Sequence, residues 1–204
     1  MMGECGFDRN SILPHEEFSF FDPTKQATDP GRREARNLLD VFAGWTAQGE
    51  GTKPLLLIAG GVGVGKTDLM RSSVWQMKRR GLRPYYITAS EFDIRIKGFR
   101  KGANDATMPH FVEPDEWLER LSAVPILAFD DVGAGVLETG FVLSRLERLF
   151  DNRYQNRLPT AVSTNLSAGG FTSVVGPRVY SRFMDTRLGT VIDLEHCHDM
   201  RPLL

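Results

Sequence analysis

Cysteine is scarce in this 204-residue sequence: there are two, Cys5 and Cys197, near opposite ends. They form no disulfide framework, and a reducing cytoplasm is the expected location. No apolar run approaches the ~20 residues that a membrane-spanning helix needs. The N-terminus also lacks the basic-then-apolar order of a secretory signal, so no membrane association is expected. Neither sign of charge dominates, with 25 Lys+Arg against 26 Asp+Glu and a net charge of −1. That argues against a globally basic nucleic-acid binder while leaving room for a local basic face. Internal repeats and low-complexity tracts are missing. His196, Cys197 and His198 are adjacent and cannot easily converge on one ion, and no second ligand cluster accompanies them.

What is present is apolar material, 41% of the chain, enough for one core and by default one domain. Residues 1–30 carry Pro14, Pro23 and Pro30 beside Phe18, Phe20 and Phe21, and read as an irregular leader whose phenylalanines dock on the core. Helical spacing of Ala35, Leu38, Leu39 and Phe42 predicts a helix after Pro30 that ends near Gly44. Short apolar strands are expected at 55–58, 82–89, 124–129, 160–164 and 190–194. Helices are expected from Asp68 to about Arg80 with Gly81 closing it, and from Ser90 as cap to Lys101. Further helices fall from Pro114 to about Ala123, from Gly140 to Arg157 and from Arg178 to Leu188. Residues 102–114 hold several breakers and read as loop. Strands alternating with helices imply a mostly parallel five-stranded sheet covered on both faces, a three-layer α/β sandwich. Trp45, Trp75 and Trp117 are expected as core or surface anchors, and Lys78, Arg79 and Arg80 as charges that complement a helix end.

The chemistry starts at residues 55–67, LLLIAGGVGVGKT, which satisfy the phosphate-loop spacing Gly60-x-x-x-x-Gly65-Lys66-Thr67. A buried strand leads into glycines that let successive N–H groups turn toward an anion, and a helix N-terminus follows. The expected nucleotide-binding residues are Gly60, Gly61, Val62, Gly63, Val64, Gly65, Lys66, Thr67 and Asp68. Lys66 would reach the β- and γ-phosphates of ATP, and the Thr67 hydroxyl would help coordinate Mg²⁺. The next apolar strand to end in acid is PILAFDD. Its Asp130 is the expected second support of Mg²⁺, and Asp131 would orient the attacking water. A guanine-specific Asn-Lys-x-Asp run is missing, which disfavours a GTPase. The third piece is the fourth strand, which ends in Thr164-Asn165, from where Asn165 could contact the γ-phosphate or the water.

With these pieces in order, the chain resembles the AAA+ ATPases of the bacterial helicase-loader group (DnaC/DnaI type) and their relatives, the transposition helpers (IstB type). The likeness runs from about Phe18 to Arg201. GGVGVGKT and FDDVG look like Walker A and Walker B motifs, and NRYQNRLPTAVSTNL is similar to the segment ending in sensor 1. The resemblance therefore implies a sensor role for Asn165. GPRVYSRF resembles the box that carries the arginine finger, which implies that Arg182, with Arg178 as alternate, acts on a neighbouring subunit's γ-phosphate. HDMR sits where the family ends in an arginine-bearing motif, which makes Arg201 a candidate sensor 2. The spacing of Arg178 and Arg182 also fits surface ion pairs on one helical face.

The resemblance further implies an AAA+ domain over 31–204, with no C-terminal lid domain, and a nucleotide-dependent homo-oligomer that is a weak ATPase as a monomer. The usual N-terminal helicase-binding domain is not apparent in residues 1–30. Single-stranded DNA is the implied ligand of the segment Arg95–Lys101, where Lys97, Arg100 and Lys101 would track phosphates and Phe99 would stack on a base. A solvated helix face is the competing reading. The expected function is ATP hydrolysis coupled to assembly on DNA, in the service of a replicative helicase or another DNA-processing partner. The alternatives are a transposition helper that recruits a transposase on duplex DNA, a small-molecule kinase, and a nucleotide-dependent switch that scarcely hydrolyses.

Overall fold

The computed structural model describes residues 23–49, 51–101, 114–133 and 140–199, with side chains from 98 to 101 excepted. Five strands form one sheet: β1 (Leu55–Gly60), β2 (Pro84–Thr88), β3 (Ile126–Val132), β4 (Thr160–Thr164) and β5 (Gly189–Leu194). Their order is β2-β3-β4-β1-β5, and every neighbouring pair is parallel. The helices are α1 (Asp29–Ala47), α2 (Lys66–Arg79), α3 (Ala89–Lys101), α4 (Pro114–Ser122), α5 (Gly140–Gln155) and α6 (Ala168–Phe183).

The two-residue alternation of each strand sends its apolar side chains to opposite faces. Leu56, Ile58, Tyr86 and Ala128 pack under α1 and α2, while Leu57, Ile87, Phe129 and Val162 pack under α3, α4, α5 and α6. Hence the runs that read as apolar throughout are strands buried on both sides. On the broader face Phe92, Phe129, Phe150, Phe183 and Phe171 form a chain of tilted rings, with centroids 5.4–6.2 Å apart.

Several boundaries differ from the expectation. Helix α1 begins at Asp29, because Thr28 Oγ1 accepts from the Gly31 N–H, and it continues through Gly44 to Ala47. A glycine in a helix costs only about 1 kcal/mol, and buried Phe42 and Trp45 outweigh that. Ser90 lies inside α3; Thr88 Oγ1 accepts from the Glu91 N–H instead. Gly81, at φ +80°, follows α2 as expected: its N–H donates to Lys78 O and that of Leu82 to Met77 O. The largest difference is α6, which starts ten residues before the expected Arg178 and stops at Phe183. Ser167 caps it, and Gly176 at φ +83° kinks it ahead of Pro177. Gly176, with ψ 154°, is itself not helical, so the glycine-proline pair breaks the element into two helical halves, each of which buries a phenylalanine, Phe171 or Phe183.

Buried Arg153 ties the bottom of this face. Its guanidinium donates to Thr160 Oγ1 at 2.8 Å and to the carbonyls of Ser122, Val124 and Pro159 at 2.7–3.1 Å. Burial of the guanidinium pulls its pKa down to about 9. No described helix is long and apolar enough to cross a membrane.

Candidate active site

Parallel sheets gather ligands outside the carboxyl ends of their strands. The order β3-β4-β1 sets three such ends side by side: Asp130 and Asp131 on β3, Asn165 after β4, and the phosphate loop after β1. They frame a cleft of ≈ 320 Å³ lined by Val62, Gly63, Gly65, Lys66, Thr67, Asp68, Asp131 and Asn165.

The loop's shape follows from its glycines. Gly63 and Gly65 adopt φ +78° and +92°, a region that costs any other residue strain. Gly60 is required for a different reason: a Cβ there would fall 2.7 Å from Leu194 Cβ on β5. Val64 is a core residue, 1% exposed, that pins the loop from below, whereas Gly61 and Val62 are exposed. Lys66 Nζ donates to the carbonyls of Gly60 and Gly61, each at 2.7 Å. Burial lowers the Lys66 pKa, and the charges of Asp130 and Asp131 oppose that shift.

The two neighbouring acids have different surroundings. Asp130 is 1% exposed and sits behind the cleft lining. Tyr86 Oη donates to its Oδ2 at 2.6 Å, and the Ser163 hydroxyl donates to its Oδ1. Burial first, then the Asp130 charge, raises the Tyr86 pKa and keeps that hydroxyl a donor. Asp131 is exposed in the cleft at φ +60°, where the β3–β4 register slips between Phe129 and Val132. Its N–H donates to Ser163 Oγ at 2.9 Å, so one serine holds both acids in place. A left-handed aspartate costs about 1 kcal/mol or more, and such strain collects where a side chain must be aimed. Asn165 lies exposed beside Gly133, with Oδ1 3.2 Å from where a Cβ on that glycine would stand.

Tyr86 and Ser163 are absent from the sequence-based site. Their signal was the alternation itself: Tyr86 points to the same side of β2 as Thr88, which pairs with Asp130, and Ser163 precedes the strand end that carries Asn165.

The arginines of α6 separate. Arg182 is mostly buried: its NH1 lies 3.1 Å from Asp151 Oδ1, its guanidinium 4.7 Å from the centre of the Tyr154 ring. Tyr154 is itself fixed, donating to Asp185 Oδ2 at 2.8 Å. Arg178 is 61% exposed and reaches Asp151 Oδ2 at 3.0 Å from the outside. Ordering by the sequence put Arg182 first; its side chain is engaged inside the subunit, and Arg178 is the one at the surface.

On α3, Arg95 pairs with Glu91 and Lys97 with Asp93, so both bases are engaged along their own helix. The side chains of Phe99, Arg100 and Lys101, and all of Arg201, lie outside the described residues. His196, Cys197 and His198 diverge, toward Glu34, Gly31 and Ala27 respectively. Burial pushes the Cys197 thiol up to about 12, away from the thiolate form.

The donor set suits a Mg²⁺–nucleotide. Magnesium takes hard oxygen ligands and keeps waters, and Thr67 and Asp131 bring a hydroxyl and a carboxylate to the cleft with Asp130 behind them. Among the described residues no group of three His, Cys, Asp or Glu forms a self-sufficient metal cage.

No protein-family model and no curated protein sequence matches the chain. Solved structures do. The replication initiator DnaA bound to AMPPCP and single-stranded DNA is similar, with a TM-score of 0.66 and 18% identity over 90% of this chain and 50% of that one. The DnaC helicase loader matches at a TM-score of 0.62 and 19% identity, over 78% and 89% of the two chains. DnaI matches at 0.59 and 21%, over 90% and 92%. The chain spans about half the length of the DnaA structure. At these identities the likeness establishes the fold alone, and two of the three neighbours, DnaC and DnaI, carry the names of the group that the motifs resemble.

Proposed function

We propose that this protein binds ATP·Mg²⁺, hydrolyses it when copies assemble, and serves DNA replication as a helicase-loader-like factor. The observation that carries the reading is the shared cleft of phosphate loop, Asp131 and Asn165, with a solvent-facing arginine on α6 of the same domain. The loop's N–H groups and the Lys66 ammonium bind the phosphates. Thr67 would hold Mg²⁺ with Asp130 in support, and the ion would supply charge neutralisation at the phosphates. Asp131 orients a water and takes its proton as the water oxygen bonds to the γ-phosphorus and the bond to the β-bridging oxygen breaks. Asn165 contacts the γ-phosphate or that water.

Arg178 of a neighbouring copy completes charge stabilisation, so turnover depends on assembly. Arg178 supports this role better than Arg182, because a trans-acting group must project from its own subunit. Single-stranded DNA as a ligand rests on the DnaA neighbour solved with it and on the basic end of α3.

The test is steady-state ATPase rate per subunit against protein concentration, with and without single-stranded DNA, for wild type and Arg178→Ala. The reading expects a rate that rises with concentration and DNA and collapses in the variant. A rate flat in concentration, indifferent to DNA and unchanged by the substitution overturns the assembly mechanism.

A further inference from the structure

Beyond β5 the chain turns back along the start of α1. The His196 N–H donates to Glu34 Oε2 at 2.8 Å, and the His196 ring pairs with the other oxygen of that carboxylate. The His196 carbonyl lies so close to Gly31 that a Cβ there would stand 2.6 Å from it. Cys197 Sγ donates to Gly31 O at 3.4 Å. The His198 N–H donates to Gln26 Oε1 at 2.9 Å, and its Nδ1 accepts from the Ala27 N–H at 3.4 Å. Residues 196–198 are thus a strap fastened to the first turns of α1 and to Gln26 and Ala27 just before it.

The strap delivers Asp199 to the phosphate loop. A Cβ built on Gly63 would fall 1.9 Å from Asp199 Oδ1 and 2.6 Å from Oδ2, so the carboxylate rests directly on the Gly63 backbone. Gly63 also lines the candidate nucleotide cleft. A loop whose glycines turn N–H groups inward attracts anions without regard to their source. A carboxylate on that loop both takes up part of this attraction and repels an incoming polyphosphate.

On the reading of the cleft as a nucleotide site, we propose that Asp199 competes with nucleotide phosphates for the loop, and that nucleotide entry displaces it and loosens the 196–198 strap from α1. The strap would then report nucleotide occupancy to the start of α1 and to Gln26, on the side of the chain that leads to residues 1–22. The steric half of the contact is tolerable to a mobile carboxylate; the electrostatic half opposes any phosphate that stays.

The experiment is calorimetric titration of the full chain with ADP and Mg²⁺, for wild type, Asp199→Asn and Asp199→Ala. Asparagine keeps the shape and removes the charge, so both variants are expected to bind roughly three- to tenfold more tightly. Hydrogen exchange gives a second readout: the Ala27, His196 and His198 amides, all bonded into the strap, should exchange faster in wild type on ADP addition. Unchanged or weaker binding by Asp199→Asn overturns the competition, and unchanged protection at saturating ADP overturns the release. Failure of wild type to bind ADP at all overturns the nucleotide reading itself, an outcome separable from the other two.

Discussion

Two regions of this domain carry charged groups with clear chemical potential, and they behave differently. At the carboxyl edge of β1, β3 and β4 the aim of each group is set by backbone: a glycine loop, a slipped register, a left-handed aspartate. On the α5–α6 face the aim is set by side-chain partners, and Asp151 and Tyr154 decide which of two arginines faces out. A motif that fixes backbone fixes function-ready geometry. A motif that only places two like residues a helical turn apart does not.

The largest expected effect breaks the first region outright. Replacing Lys66 by alanine removes the one ammonium among the cleft-lining residues, and turnover should fall about a thousandfold, with nucleotide binding weakened too. Thermal stability should fall much less, because the hydrogen bonds that the ammonium makes are to loop carbonyls. Calorimetry and melting curves together separate the two effects.

The adjacent acids sharpen the comparison within that region. Asp131→Asn should leave nucleotide affinity within about twofold and cut turnover about a hundredfold, since only the water-orienting group changes. Asp130→Asn should also cost stability, about 1–3 kcal/mol, because two hydroxyl donors, Tyr86 and Ser163, lose a charged acceptor in a buried place. Denaturant midpoints distinguish these variants. Equal stability for both would contradict the division between an aiming acid and an aimed one.

Arginine substitutions test the second region. Arg178→Ala should lower the assembled rate about tenfold or more, equivalent to ~1.4 kcal/mol of barrier, with the melting temperature nearly unchanged. Arg182→Ala should do the reverse: it strips Asp151 and the Tyr154 ring of a mostly buried partner, so stability falls by about 1–2 kcal/mol while per-subunit chemistry is less affected. A mixed assembly of Lys66→Ala with Arg178→Ala subunits should recover activity that neither has alone.

What could be read from the sequence tracks the same division. Spacing and apolar runs located the phosphate loop, the acids and Asn165, because strand ends in a parallel sheet converge by topology. All five strands were legible for the same reason, although β3 runs on through Asp131 to Val132. The first half of α6 was not, because Gly169, Gly170 and Gly176 weaken helical propensity and tertiary burial of Phe171 overrides them. Which of the two arginines faces solvent was hidden too, since Asp151 and Tyr154 are 27 and 24 residues upstream of Arg178. The Asp199–Gly63 contact is equally remote in sequence and follows only from the strap's path.

The smallest effect concerns that strap, and its sign can be worked out. The Glu34 carboxylate, by hydrogen bond and then by charge, raises the His196 pKa above its ordinary value. A group whose folded pKa is raised contributes stability that is complete below its unfolded pKa and is lost as pH rises through the folded one. The wild-type melting temperature should therefore exceed that of His196→Gln most clearly on the acid side, and the gap should close as pH rises through the raised value. His196 is exposed, so the gap should be small and should shrink further in salt. If Asp199 is tied to the loop through this strap, ADP should narrow the gap on the acid side as well, because release of the strap separates His196 from Glu34. A gap that ignores ADP would mean that the His196–Glu34 pair and the phosphate loop are independent, leaving Asp199 to move alone.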